Sequence, residues 1–181
     1  GITLQEALNA AVAHLKEFGH RDICFLSEKL TDAKEELERL YGIQVLTCQA
    51  DGGVEEQVAG VIAKAAETFG RIDVLINNAQ ASKSGVLLVD HSKEDFDLAI
   101  NSGLYAAFFY MKHAYPYLKA AQGSVINFAS GAGISGRLGQ SSYAAAKEGI
   151  RGMTRVAANE WGPDNINCNV VCPLVMTAQL K

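Results

Sequence analysis

The chain of 181 residues has only 3 prolines, and only 20% of its residues are charged. That scarcity argues against disorder, a collagen-like repeat or a charged tail. Basic residues are fewer than acidic ones, 16 against 20, for a formal charge of −4. Nucleic-acid binding needs clustered cations, so nucleic acid is not an expected partner. No apolar run approaches the roughly 20 residues that span a bilayer, and no signal-peptide pattern heads the sequence. The expectation is therefore no membrane partner and a cytoplasmic location. Cysteine is confined to Cys24, Cys48, Cys168 and Cys172, in apolar strand-like runs without CxxC spacing. This predicts buried free thiols in a reducing compartment. His14, His20, His91 and His113 lack ligand spacing to cysteines or acids, so no metal is expected.

What the chain does have is apolar content, 49%, in two alternating periods. Leu4, Leu8, Val12 and Leu15 mark a helix over 4–18, ended by Gly19. Further helices are predicted over 31–41, with Thr31 as a candidate N-cap, and over 54–69, closed by Gly70. A long one covers 93–121, with Ser92 as N-cap and Pro116 placed to bend or break it late, and another covers 143–160. Short apolar runs at 23–26, 44–48, 74–76, 124–128 and 166–171 read as strands, with a Gly/Ser-rich loop through Ser142. Strands alternating with helices imply right-handed βαβ units and a mostly parallel sheet in one α/β domain. Ligands of such sheets bind beyond the carboxyl ends of the strands.

The chemistry-bearing residues follow the strands. Tyr143-Ala-Ala-Ala-Lys147 lies thirteen residues after Ser130. Residues i and i+4 of a helix share a face, so phenol and ammonium point the same way. A nearby cation favours phenolate, which makes Tyr143 a candidate general acid/base. Ser130, after its strand, is placed to hydrogen-bond an oxygen on which charge develops. By itself, a Tyr one turn before a Lys is also an ordinary surface pair.

Five ordered motifs resemble the short-chain dehydrogenase/reductase family. They are Asn77-Asn78-Ala79 after a strand, Asn101 in a long helix, Ser124-Val-Ile-Asn-Phe-Ala-Ser130, Tyr143-Ala-Ala-Ala-Lys147, and Asn167-Cys-Asn-Val-Val-Cys-Pro173. The resemblance implies a Rossmann-like doubly wound α/β fold and hydride transfer between NAD(P)(H) and a carbonyl/alcohol pair, without a metal. It implies that Tyr143 is the acid/base, that Ser130 polarises the substrate carbonyl, and that Lys147 binds the nicotinamide ribose and lowers the tyrosine pKa. It implies a water relay at Asn101. On the cofactor side it implies roles for Asp51 near adenine, for Asn78 and Ala79 along the cleft (Asn78 also steadying the sheet), and for Pro173, Val175 and Thr177 at the nicotinamide amide. Each site residue keeps a plainer reading: Asn101 as a local cap, Asp51 as a turn acid before Gly52-Gly53, Thr177 as part of a frayed end. In the family, the helices bearing Asn101 and Tyr143 pack across a dimer interface, so a homo-oligomer, dimer or tetramer, is expected.

The chain departs from the family pattern at several points. Gln80 stands where the family has glycine, and Leu174 follows Pro173 where glycine is usual. The glycine-rich phosphate loop that opens the family survives only as Gly1-Ile2, with Thr3 after it. The resemblance thus reads the chain as short at both ends, lacking a first and a last strand, with a gap left where the first would pair. Residues 11–23, ending Gly-His-Arg-Asp-Ile, also resemble a helix–strand segment of LacI-type sugar-responsive repressor domains. Coenzyme choice falls near Glu28 and Lys29, where an acid favours NAD and a base NADP; the reading leaves both open and leans to NAD. Two alternatives accompany the oxidoreductase reading: a fragment or chimera that keeps the motifs but cannot hold cofactor, and an N-terminal segment of sugar-binding origin.

Overall fold

A computed structural model describes residues 13, 17, 22–26 and 30–173 of the chain. The helix expected over 4–18 lies outside them, except that Ala13 and Glu17 are helical. The described residues pack as two units, divided between Ala50 and Asp51.

In the first unit, strand β1 (Asp22–Leu26) pairs in parallel with β2 (Gln44–Cys48) through helix α1 (Leu30–Tyr41). The helix starts at Leu30, so Thr31 sits inside its first turn and is not the cap. Leu37 of α1, fully buried, packs with Ile43 and Val45 as the core of this unit. Glu38 reinforces it by accepting the Val45 N–H at 3.0 Å.

The second unit opens with α2 (Glu55–Phe69), which ends at Gly70 in the left-handed region, φ 77°, with its N–H on the Ala66 carbonyl. Strand β3 (Val74–Asn77) follows. The long helix expected over 93–121 is three continuous segments: α3 (Lys93–Ala99), a π-helical stretch Ile100–Tyr105, and α4 (Ala106–Ala121). Pro116 lies within α4 without ending it. After β4 (Ser124–Phe128), the expected loop contains a short helix α5 (Gly131–Ser135), and α6 (Ser141–Trp161) starts two residues before Tyr143. Strand β5 (Asn167–Val171) closes the order. The sheet runs β3-β4-β5, all parallel, over a core of Ile62, Leu75, Met111, Leu118, Val125 and Ile166.

The described strands thus form two ladders, β1-β2 in the first unit and β3-β4-β5 in the second. The thiol expectation is corrected at one position. Cys48 is buried and Cys168 half-buried, its thiol pKa pushed up by burial, but Cys172 is exposed. It lies one residue past the end of β5. The Cys24 side chain lies outside the described residues.

Candidate active site

Parallel register decides which residues emerge together. Asn77 sits beside Asn127, and Phe128 beside Val171, so the segments after β3, β4 and β5 leave the sheet at one edge. Those segments carry Asn78 and Ala79, Ser130, and Pro173.

Helix α6 is fastened to the same edge. Lys147 is 4% exposed, and its Nζ donates to the Phe128 carbonyl at 2.8 Å. One turn further, Arg151 donates from Nη2 to the Ser130 carbonyl at 3.2 Å, while its Nε bonds both Glu148 oxygens at 3.1 Å. Two cations at i and i+4 thus grip carbonyls two residues apart, on either side of Ala129. Lys147 Nζ lies 5.7 Å from the centroid of the Tyr143 ring. Burial alone lowers the Lys147 pKa to about 8, because the charged form loses hydration. Its bond to Phe128 occupies one of three ammonium protons.

Ser130 caps α5: its Oγ accepts the Ala132 N–H at 3.1 Å. Accepting that bond leaves the hydroxyl proton available to a second oxygen.

Behind these groups runs a buried polar chain. Asn77 Nδ2 donates to Asn127 Oδ1 at 2.8 Å, Asn127 Nδ2 to Thr154 Oγ1 at 2.8 Å, and Thr154 Oγ1 to the Ile150 carbonyl at 2.6 Å. Asn127 is completely buried. This chain ties β3, β4 and α6 together, and a satisfied network in a low-dielectric interior holds its members rigidly. Asn77, rather than Asn78, therefore steadies the sheet: Asn78 falls just past the strand end and is exposed.

Asn101 is exposed in the π-helical stretch, and its carbonyl accepts from the Ala106 N–H five residues on. Such stretches are rare and concentrate at functional sites. Ser102 pins this one to the strand-end segment, its Oγ accepting the Ala81 N–H at 2.9 Å. Gln80 lies flat against Gly103, where a Cβ would come within 2.6 Å of its Cδ. Asp51 is exposed before α2, its Oδ1 accepting the Gly53 N–H at 2.8 Å and its own N–H bonding Gln57 Oε1 at 2.8 Å. Pro173 is exposed; Gly1, Ile2, Glu28, Lys29, Val175 and Thr177 lie outside the described residues.

Arg151, Asn127 and Thr154 were not among the expected site residues. Asn127 left a readable signal, since it alternates with Val125 on the buried face of β4, where a polar group must be bonded. Arg151 left none beyond its i+4 spacing from Lys147.

The family model for short chain dehydrogenase matches residues 9–181, which takes in all of the segment 11–23 that resembles a repressor domain. A 12alpha-hydroxysteroid dehydrogenase from Clostridium sp. is 62% identical over 176 residues, 94% of this chain and 68% of that protein. A 3-oxoacyl-(acyl-carrier-protein) reductase from Thermotoga maritima is 41% identical over 119 residues, 65% of this chain; the chain spans about half of that relative, 48%. The solved structure of ElxO with NADP bound superposes with a TM-score of 0.84 at 32% identity, over 99% of this chain and 73% of that one. With its parallel Rossmann-like sheet, its Tyr143–Lys147 helix turn and these matches, the chain belongs to the short-chain dehydrogenase family of NAD(P)-dependent oxidoreductases.

Proposed function

We propose that the protein interconverts a secondary alcohol and a ketone, with Tyr143 as general acid/base. The observation that carries this reading is the buried Lys147 ammonium, held by the Phe128 carbonyl 5.7 Å from the Tyr143 ring. With this ammonium one helical turn away, the tyrosine gives a proton to a carbonyl oxygen in reduction and takes it back in oxidation. Ser130 donates its free hydroxyl proton to the same oxygen as negative charge grows there. Asn101 lies on the route by which the proton is replaced from solvent.

The residues present fit a nicotinamide dinucleotide. Lys147 retains two N–H groups for ribose hydroxyls, and the folding of Gln80 onto Gly103 turns that side chain aside at the point where the family has glycine. When bound, the coenzyme supplies or accepts the hydride. Asn78, Ala79 and Pro173 are the described residues assigned to it, with Asp51 toward adenine. Gly1, Ile2, Val175 and Thr177 complete the assignment. The slight lean to NAD, with Glu28 and Lys29 leaving the choice open, stands beside the NADP held by the solved relative, so the coenzyme is written NAD(P).

For substrate we propose a hydroxysteroid, on the 62% identity to the hydroxysteroid dehydrogenase. The loops beside Ser130 and Tyr143 support a broad apolar substrate: Leu88 is 73%, Val89 87% and Leu138 88% exposed. Exposed large apolar side chains on segments that flank a site suit an apolar ligand. A second copy of the chain is the expected partner.

The test is to incubate the purified protein with a panel of hydroxysteroids and simple secondary alcohols, with NAD or NADP, and follow absorbance of the reduced coenzyme. Steroid-dependent reduction is expected. Coenzyme binding without turnover of any alcohol overturns the reaction. Failure to bind either coenzyme supports the alternative of a chain that keeps the motifs without the activity.

A further inference from the structure

Tyr143 sits in the first turn of α6, yet that helix begins without a side-chain cap: Gln140, in the cap position, makes no such bond. The helix start is instead held from outside by the segment 85–91. His91 Nε2 lies 2.9 Å from Ser142 Oγ, and Nδ1 lies 3.5 Å from Ser141 Oγ. Ser142 is completely buried, and the His91 ring stands edge-on to Phe96, centroids 6.1 Å apart. The backbone of the same segment is bonded too. Gly85 N–H donates to the Gly139 carbonyl at 2.8 Å, and Val86 forms a parallel bridge with Gln140. The approach is close enough that a Cβ on Gly139, which has φ 69°, would meet the Gly85 Cα at 2.9 Å. Segment 85–91 therefore braces 139–142 at three points, all within four residues of Tyr143.

We propose that His91 is a positioning residue for Tyr143. By occupying the hydroxyls of Ser141 and Ser142 it holds the first turn of α6 in place and so sets where the phenol stands relative to Ser130. The first N–H groups of any helix have no partner within it, and uncapped starts fray. A misplacement of about 1 Å at a reacting group costs on the order of 10²-fold in rate. The inference rests on the reading of Tyr143 as the proton donor, but the brace can be measured without turnover.

The experiment compares His91→Ala and His91→Gln with the wild-type protein by amide hydrogen exchange and by kinetics. Loss of the ring should speed exchange at Ala144, Ala145 and Ala146 about fivefold, the scale of one lost hydrogen bond, and leave Ile150 to Ala157 unchanged. In turnover, kcat should fall about tenfold in the Ala variant, with the coenzyme KM within about twofold. The Gln variant, whose amide can reach Ser142, should recover most of both. Wild-type exchange at 144–146 in the Ala variant overturns the proposal, as does uniform acceleration along α6, which is general loosening. So does faster exchange with unchanged kcat. If the wild-type protein turns over no substrate, the reaction assigned above fails, and the exchange pattern alone decides whether the brace exists.

Discussion

Helix α3, which leads into Asn101, starts at Ser92, whose hydroxyl accepts the Asp95 N–H at 3.0 Å, with Glu94 and Asp95 in the first turn and a Lys93–Asp97 pair along its face. Helix α6, which carries Tyr143 and Lys147, starts after Gln140 with no side-chain cap and no acid in its first turn. The first start is self-contained, since hydroxyl, acids and macrodipole agree within a few residues. The second depends on His91, Gly85 and Val86, about 50 residues earlier in the chain. The residue assigned to proton transfer thus stands on the helix whose geometry is decided remotely.

The largest effect should come from the chemistry at the remotely held start. Tyr143→Phe keeps the ring beside Lys147 but removes the proton, and kcat should fall about 10²- to 10⁴-fold in steady-state assays. Unfolding free energy should stay close to wild type. Retention of turnover would remove the distinction between the two helices.

Next comes Lys147. Its folded pKa of about 8 lies below its ordinary value of 10.5. Between these limits the unfolded chain holds a proton that the folded chain has lost, so stability should rise with pH across this window and reach its full value above it. The rise should total up to about 3 kcal/mol. Urea titrations from pH 7.5 to 10.5 should show this slope in the wild type and its loss in Lys147→Met. The Met variant should also be inactive.

Gly139→Ala attacks the backbone of the brace. Left-handed backbone costs a side-chain-bearing residue roughly 1–2 kcal/mol, and the approach to Gly85 adds to it. A destabilisation of about 2 kcal/mol, read as a lower urea midpoint, should come with lower kcat.

Ser92→Ala is the control at the self-contained start. It should cost about 1 kcal/mol and leave kcat within about twofold. A kcat loss matching that of Gly139→Ala would show that both starts feed the site equally.

Much of this was legible in order and little of it in detail. The strands over 44–48 and 124–128 fall where the apolar runs place them, and Ser92 and Gly70 terminate their helices as their side chains and backbone freedom require. Such signals are local, so a single sequence carries them. The π-helical stretch at Asn101 was not legible. It is stabilised by Ser102 reaching Ala81 and by Gln80 lying on Gly103, contacts across about 20 residues with no periodic signature. Asn77 and Asn78 look alike as neighbours in sequence. Only the register of β3 on β4 shows that Asn77 faces Asn127 while Asn78 has passed the strand end.

By itself the sequence determined the α/β alternation, the family pattern, and the set Asn101, Ser130, Tyr143 and Lys147, because residue type and spacing suffice for helix faces, strand runs and ordered motifs. Tertiary structure decided how those residues are held. Arg151 on the Ser130 carbonyl, Lys147 buried under Phe128, and His91 at the start of α6 each join segments about 20 to 50 residues apart. Burial and orientation arise from packing between segments, and no window of sequence contains both partners. That is why the four proposed site residues could be named from their spacing, while the Lys147 pKa shift and the contacts of His91 appeared only in three dimensions.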